Sequence, residues 1–268
     1  MPPSVLAAVD GSPESLAAAR WAADEAVRRG AGLRLLYAWP RPLHAAPGLP
    51  GVAEARGRAL GMLADTADWV RANHPGLDVG TTLGAEPAPA GITAAAASAE
   101  LVVLGSHEPR SPFGSVSLAV AAHAPCPVVL VRAAPGSAGP PEEVVVGLDV
   151  SDPAEPLLAF ARKAARAFGV PLRAVHAWTP PAKWWSLSTG ERARRTEAEE
   201  DALTDLLARG TEADVVPDVR RADAADALAD ASRSAGLLVL GRTGHRLGAV
   251  TRAVVHRTWC PIAVVPHG

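Results

Sequence analysis

Apolar positions alternate between two patterns along the chain. Short continuous runs, SVLAAVD (4–10), GLRLLYAW (32–39), LVVLGS (101–106) and PVVLV (127–131), are too short for stable helices and fit buried parallel strands. Between them lie stretches of helical period. In SPESLAAARWAADEAVRRG (12–30), Leu16, Ala19, Ala23 and Ala26 share one face, Ser12 or Asp10 can cap, Pro13 suits the first turn and Gly30 suits the stop. A longer helix is expected with Leu60, Leu63, Ala67 and Val70 in register, ended by Pro75-Gly76. LDVGTTL (77–83) then reads as a strand, the Ala-rich stretch to Glu100 as a helix, and Ser115 to His123 as the last helix. Strands separated by helices imply right-handed βαβ crossovers and a parallel sheet covered on both faces.

The same series then starts again. EVVVGLDVS (143–151) repeats the opening, with Asp149 lying 139 residues after Asp10. LRAVHAW (172–178) falls on LRLLYAW (33–39) at the same offset. GLLVLGR, LGAVTRAV and WCPIAVV follow ELVVLGS, FGSVSLAV and PCPVVLV in unchanged order, at offsets of 136 to 134 residues. The chain is therefore a tandem pair of α/β domains, 1–133 and 143–268, and the Pro- and Gly-rich 134–142 reads as the linker.

Composition narrows the function classes. Hydrophobic residues are 49% and charged ones 20%, enough for two cores, while aromatics are only 4%, so Ala, Val and Leu must do the packing. A net charge of −2 supplies no field for nucleic acid or an anionic membrane, and no apolar run reaches the ~20 residues of a bilayer span. The N-terminus runs straight into a strand without a basic leader, which reads as a cytoplasmic protein. Cys126 and Cys260, each before Pro and an apolar run, read as buried thiols and not as a disulfide. The eight histidines show no metal-ligand spacing, and neither a Gly-x-Ser-x-Gly elbow nor a Walker loop is present. Trp184 and Trp185 could cover a ligand base, although packing against the other domain is the plainer expectation. The Arg-rich segment 191–210 mixes charge signs and reads as a solvated helix face.

Ligands of such sheets bind outside the carboxyl ends of the strands. Asp10 and Asp149 end their first strands, and Gly105 and Gly241 their fourth. An Asp there can accept from a ribose hydroxyl or an adenine amine, and a Gly admits close backbone approach. Gly114, Ser115, Val116 and Ser117 open the last helix of copy one and offer N–H groups and hydroxyls to phosphate. Gly248, Ala249, Val250 and Thr251 are their counterparts in copy two. Asp10 and Ser115 also have a plain structural reading as helix caps.

AVDGSPES, LYAW, VVLGS, GSVSLAV and HAPCPVVLVR together resemble a universal stress protein domain, and GLDVSDPAE, VHAW, LVLGRTG and GAVTRAVVHRTWCPIAVV resemble it again. The resemblance implies two Rossmann-like domains with strand order 3-2-1-4-5. It also implies a stress-response role without general catalysis. ATP, AMP or another adenine nucleotide is the implied ligand, held by Asp10 with Ala38 and by Asp149 with Ala177, and no cofactor is required. Edge pairing by the last strands would make an intrachain pseudo-dimer, with a homodimer or an unknown protein partner as further associations. The family phosphate loop, G-x2-G-x9-G-[ST], is incomplete in both copies. Copy one has Glu108 where the second Gly belongs, and only eight residues separate Gly105 from Gly114-Ser115. Copy two keeps Gly241 and Gly244 but reaches Gly248 after three residues, with Ala249 in place of the hydroxyl. Triphosphate binding is expected to be weak or lost. A ligand-free interaction scaffold and a weak nucleotide hydrolase or transferase stay open as alternatives.

Overall fold

The computed structural model describes residues 3–39, 51–106, 116–132, 142–152, 155–208 and 215–267. They fall into two compact units, Met1–Ser137 and Ala138–Gly268. The proposed linker 134–142 lies, but for Glu142, outside the described residues.

The first unit runs β1 (Ser4–Ala8), α1 (Pro13–Arg29), β2 (Gly32–Ala38), α2 (Val52–Asn73), β3 (Val79–Gly84), α3 (Ala88–Ala96), β4 (Leu101–Gly105), α4 (Val116–His123) and β5 (Val128–Val131). All its pairings are parallel, in the order β3-β2-β1-β4-β5. Helices α1 and α2 cover one face, and α3 and α4 the other. Ala18, Ala19, Ala22, Ala23 and Ala26 bury one side of α1 almost completely. Their single methyls let that helix lie close on the sheet, which is how a chain poor in aromatics fills its core. Ser12 caps α1 by accepting from the Ser15 N–H at 3.2 Å, and Gly30 ends it in the left-handed region at φ 62°.

One expectation about α2 is corrected. Leu63, Ala67 and Val70 are buried as its period predicts, but Leu60 is 39% exposed and Ala59 takes the inward place. The buried stripe of a long helix drifts, so its ends follow the sheet beneath and not a strict register.

The second unit repeats the order with β6 (Glu143–Gly147), α5 (Glu155–Phe168), β7 (Leu172–Trp178), α6 (Thr189–Ala208), β8 (Val215–Arg221), α7 (Ala224–Ala231), β9 (Ala235–Thr243), α8 (Ala249–Val255) and β10 (Ile262–His267). Its parallel sheet has the order β8-β7-β6-β9-β10. Helix α5 lies across β6, β9 and β10, α6 on β8, and α7 packs on β7 and against α8. Trp184 packs edge-on against Trp178 of its own unit at 5.2 Å, while Trp185 is 79% exposed.

Both cysteines are buried and unpaired. Burial pushes the Cys126 thiol up to about 11 and the Cys260 thiol up to about 12. At pH 8 only about one Cys126 in a thousand would be thiolate, so iodoacetamide should leave the native protein unlabelled and modify two sites after denaturation. Unfolded thiols ionise near 9 while the folded ones stay protonated, so stability should fall as pH rises from about 9 towards 11, measured as denaturant midpoints. Labelling of the native protein at the denatured rate would contradict both outcomes.

Candidate functional site

Parallel pairing brings the carboxyl ends of β1, β2 and β4 to one edge of the first sheet, with Ala8 beside Leu36 and Leu104. Asp10, Ala38 and Gly105 follow at that edge. Asp10 does not cap α1 itself. Its Oδ1 accepts from the Ser12 N–H at 2.9 Å and the Ser12 hydroxyl at 2.6 Å, which positions the residue that does cap. Ser117 is buried and Val116 exposed at the start of α4, whereas Gly114 and Ser115 lie outside the described residues. The absent side chain of Gly105 has a definite use. A Cβ there would stand 2.6 Å from the Glu14 carbonyl carbon and 2.7 Å from the Ser15 nitrogen, so the first turn of α1 presses directly on the end of β4.

The second unit gathers its strand ends around a cavity of about 330 Å³. Asp149, Ala177, Gly241, Gly248, Ala249, Val250 and Thr251 all line it, and of the eight residues anticipated here Gly244 alone does not. Asp149 makes the same turn as Asp10, accepting on Oδ1 from the Ser151 N–H at 2.9 Å and the Ser151 hydroxyl at 2.6 Å. The Ser151 hydroxyl, helped by its backbone N–H and by His176, holds the Asp149 carboxyl below its ordinary value. Both bonds fall on Oδ1, so Oδ2 keeps its lone pairs for a ligand hydroxyl or amine.

Sequence reasoning missed several walls of this cavity. His176 is buried on β7, its Nδ1 3.1 Å from the Leu148 carbonyl and its Nε2 3.2 Å from Glu199 Oε2. Gly241 was expected to end its strand, but β9 continues to Thr243 because β10 goes on pairing with it, Val265 beside Gly241 and His267 beside Thr243. Alternation puts His267 on the side where Gly241 has no side chain, and its imidazole fills that space against Leu157. The longer strands leave Gly244–Leu247 as the only loop before Gly248. Arg246 and Arg252 line an adjoining cavity of about 450 Å³ that shares Gly241, Thr243, Gly248 and Ala249 with the first. Arg252 donates through Nε to the Leu247 carbonyl at 3.0 Å, and the buried Arg242 donates to the Gly244 carbonyl, so the loop is tied to its own cations. The basic density of GRTGHRLG was the available signal for these residues.

Two doubly wound α/β units in tandem, each with an Asp after its first strand and a glycine in its fourth, define the class of the protein. The chain belongs to the universal stress protein family, whose model matches residues 1–132 and 141–266. It is 32% identical to Universal stress protein Rv2028c of Mycobacterium tuberculosis (strain ATCC 25618 / H37Rv), covering 98% of this chain and 96% of that one. A universal stress protein of Mycolicibacterium smegmatis is 31% identical, over 97% of this chain and 96% of its own. The crystal structure of a universal stress protein from Archaeoglobus fulgidus DSM 4304 shares the fold at a TM-score of 0.73 and 19% identity, covering 99% of this chain and 98% of that one. Among the described residues no helix is long and apolar enough to cross a membrane.

Proposed function

We propose that this chain is a non-catalytic stress-response protein whose second unit binds an adenine nucleotide with a short phosphate tail, AMP or a cyclic nucleotide in preference to ATP. The observation that carries the reading is the cavity at Asp149, where the ends of β6 and β7, the body of β9 and the start of α8 meet from four separate stretches of chain. Its volume of about 330 Å³ lies at the small end of the ~300–1,000 Å³ usual for ligand pockets, which suits a nucleoside with little beyond it. In this reading Asp149 takes the ribose or the adenine amine, Ala177 and Leu157 flank the base, and Gly248–Thr251 lie beside the phosphate. Arg246 and Arg252 stand where guanidinium groups replace the N–H donors that the shortened loop no longer offers. In the first unit the approach of α1 to Gly105, together with Glu108 in the loop sequence, argues for a pocket reduced further. The domains of this proposal are 1–133 and 143–268, joined by 134–142.

A nucleotide hydrolase is disfavoured because Asp149 is engaged by Ser151 and no nucleophile–base pair lines the cavity among the described residues. Mass spectrometry of what is released from natively purified protein, with calorimetric titration of AMP, cyclic AMP, ATP and adenosine, tests the proposal. AMP should bind at least as tightly as ATP. Arg246→Gln should weaken AMP about fivefold and leave adenosine unchanged, as expected for an exposed guanidinium worth ~1 kcal/mol. ATP binding tenfold tighter than AMP would overturn the short-tail reading. No binding of any of the four would leave the interaction scaffold, and the search would turn to protein partners in the cytoplasm or a second copy of the chain.

A further inference from the structure

The first unit has another cavity, of about 600 Å³, between α1 and α2; it includes none of the strand-end residues described above, and Gly11, next to Asp10, lines one end. Leu16 and Ala19 of α1 face Met62 and Trp69 of α2 across it. Gly61 lines this space and leaves part of it open. This residue sits inside a 22-residue helix, where glycine is the poorest choice after proline, and a Cβ on it would meet nothing within 4 Å. Its missing side chain relieves no contact, so what it contributes is room.

The rim carries charge in a usable arrangement. The Arg20 guanidinium carbon lies 4.9 Å from the centre of the Trp69 ring, and that indole is 38% exposed. Arg58 and Asp65, both exposed, lie on the α2 side. Among the described residues neither Arg20 nor Arg58 pairs with a carboxylate, Asp65 included. A guanidinium stacked on an indole keeps its in-plane N–H groups available, the geometry that binds a carboxylate with two parallel bonds. The walls are apolar and the uncompensated charge is positive.

We propose that this cleft binds a small aromatic carboxylate, its ring against Leu16, Met62 and Trp69 and its carboxylate on Arg20 and Arg58. The site is independent of the nucleotide pocket of the second unit, and Asp65 discriminates against dianions by repulsion.

The test titrates 2-naphthoate into the full-length protein by calorimetry, with 2-naphthamide as the neutral isostere. Saturable 2-naphthoate binding is expected, with the amide at least tenfold weaker. Gly61→Leu should fill the cleft and weaken 2-naphthoate more than tenfold while leaving the melting temperature unchanged or raised, because leucine is the better helix former. Gly57→Leu, on the same helix with nothing within 4 Å of its added Cβ and outside the cleft, should leave binding unchanged. Arg20→Gln should narrow the gap between the acid and the amide. The proposal is overturned by absent binding at millimolar 2-naphthoate, by equal affinity for the amide, or by binding that survives Gly61→Leu. AMP titrated into the Gly61→Leu protein should behave as with the parent chain, so failure here is separable from failure of the nucleotide reading.

Discussion

Gly105→Val should destabilise the first unit by about 3 kcal/mol or more, beyond the usual range for overpacking. The reason is what the new Cβ would strike. Its neighbours at 2.6, 2.7 and 2.8 Å are the carbonyl carbon of Glu14, the nitrogen of Ser15 and the oxygen of Glu14, all backbone. A side chain can rotate out of the way, but a helix turn moves only with the helix. Helix α1 also carries the alanine face that fills the core, so displacing its first turn opens gaps along the sheet. For a unit whose total stability is ~5–15 kcal/mol, this is a large share. The equivalent Gly241→Val should be milder, because the nearest obstacle is the far end of the His267 side chain. Denaturant unfolding of both variants, read unit by unit through hydrogen exchange, would check the contrast. A Gly105→Val protein as stable as its parent would show that α1 does not depend on this approach.

Asp149→Ala should lower nucleotide affinity about 10- to 150-fold, whereas Asp10→Ala should leave it within about twofold, since hydrogen bonds to a charged group contribute ~1.5–3 kcal/mol. Asp149→Asn separates two roles of this side chain. Asparagine can still accept from the Ser151 N–H and keep the turn, but it offers a ligand no negative charge. An intermediate loss is therefore expected, and full affinity in Asp149→Asn would mean that the residue acts through the turn alone. The pH dependence has a definite sign. A carboxyl held below its ordinary value stabilises the folded state above the unfolded value, and that contribution is lost as pH falls through the lower folded value. Binding through Asp149 should thus be lost at a lower pH than an ordinary carboxylate would give. Removing the hydroxyl in Ser151→Ala should shift the acid limb upward, because that hydroxyl is the largest cause of the depression.

Much of this was legible along the chain. Duplication was visible in matched segments, and each copy showed its strand–helix alternation because strand runs and helical periods are properties of one element at a time. Parallel β/α alternation also brings the strand carboxyl ends to one edge, so Asp10 and Asp149 could be assigned to that edge from sequence. The shortness of the glycine-flanked loops after the fourth strands follows from counting residues. Gly244 was the exception in the second unit, included for its spacing and absent from the cavity wall.

Tertiary structure decided the rest, because the separation between two elements depends on side chains far apart in sequence. Gly105 and Gly241 occupy matching places in the repeat, yet the first makes room for the backbone of α1 and the second for the imidazole of His267. Leu60 satisfied the helical period and still faces solvent. Trp184 found its partner in Trp178 of the same unit. The cleft between α1 and α2 had no signature beyond a glycine in a helix, since a cavity is the absence of atoms that neighbouring segments might have supplied. Sequence determined what each element is and which ends meet. Packing determined where space was left between them, and so where a ligand can enter.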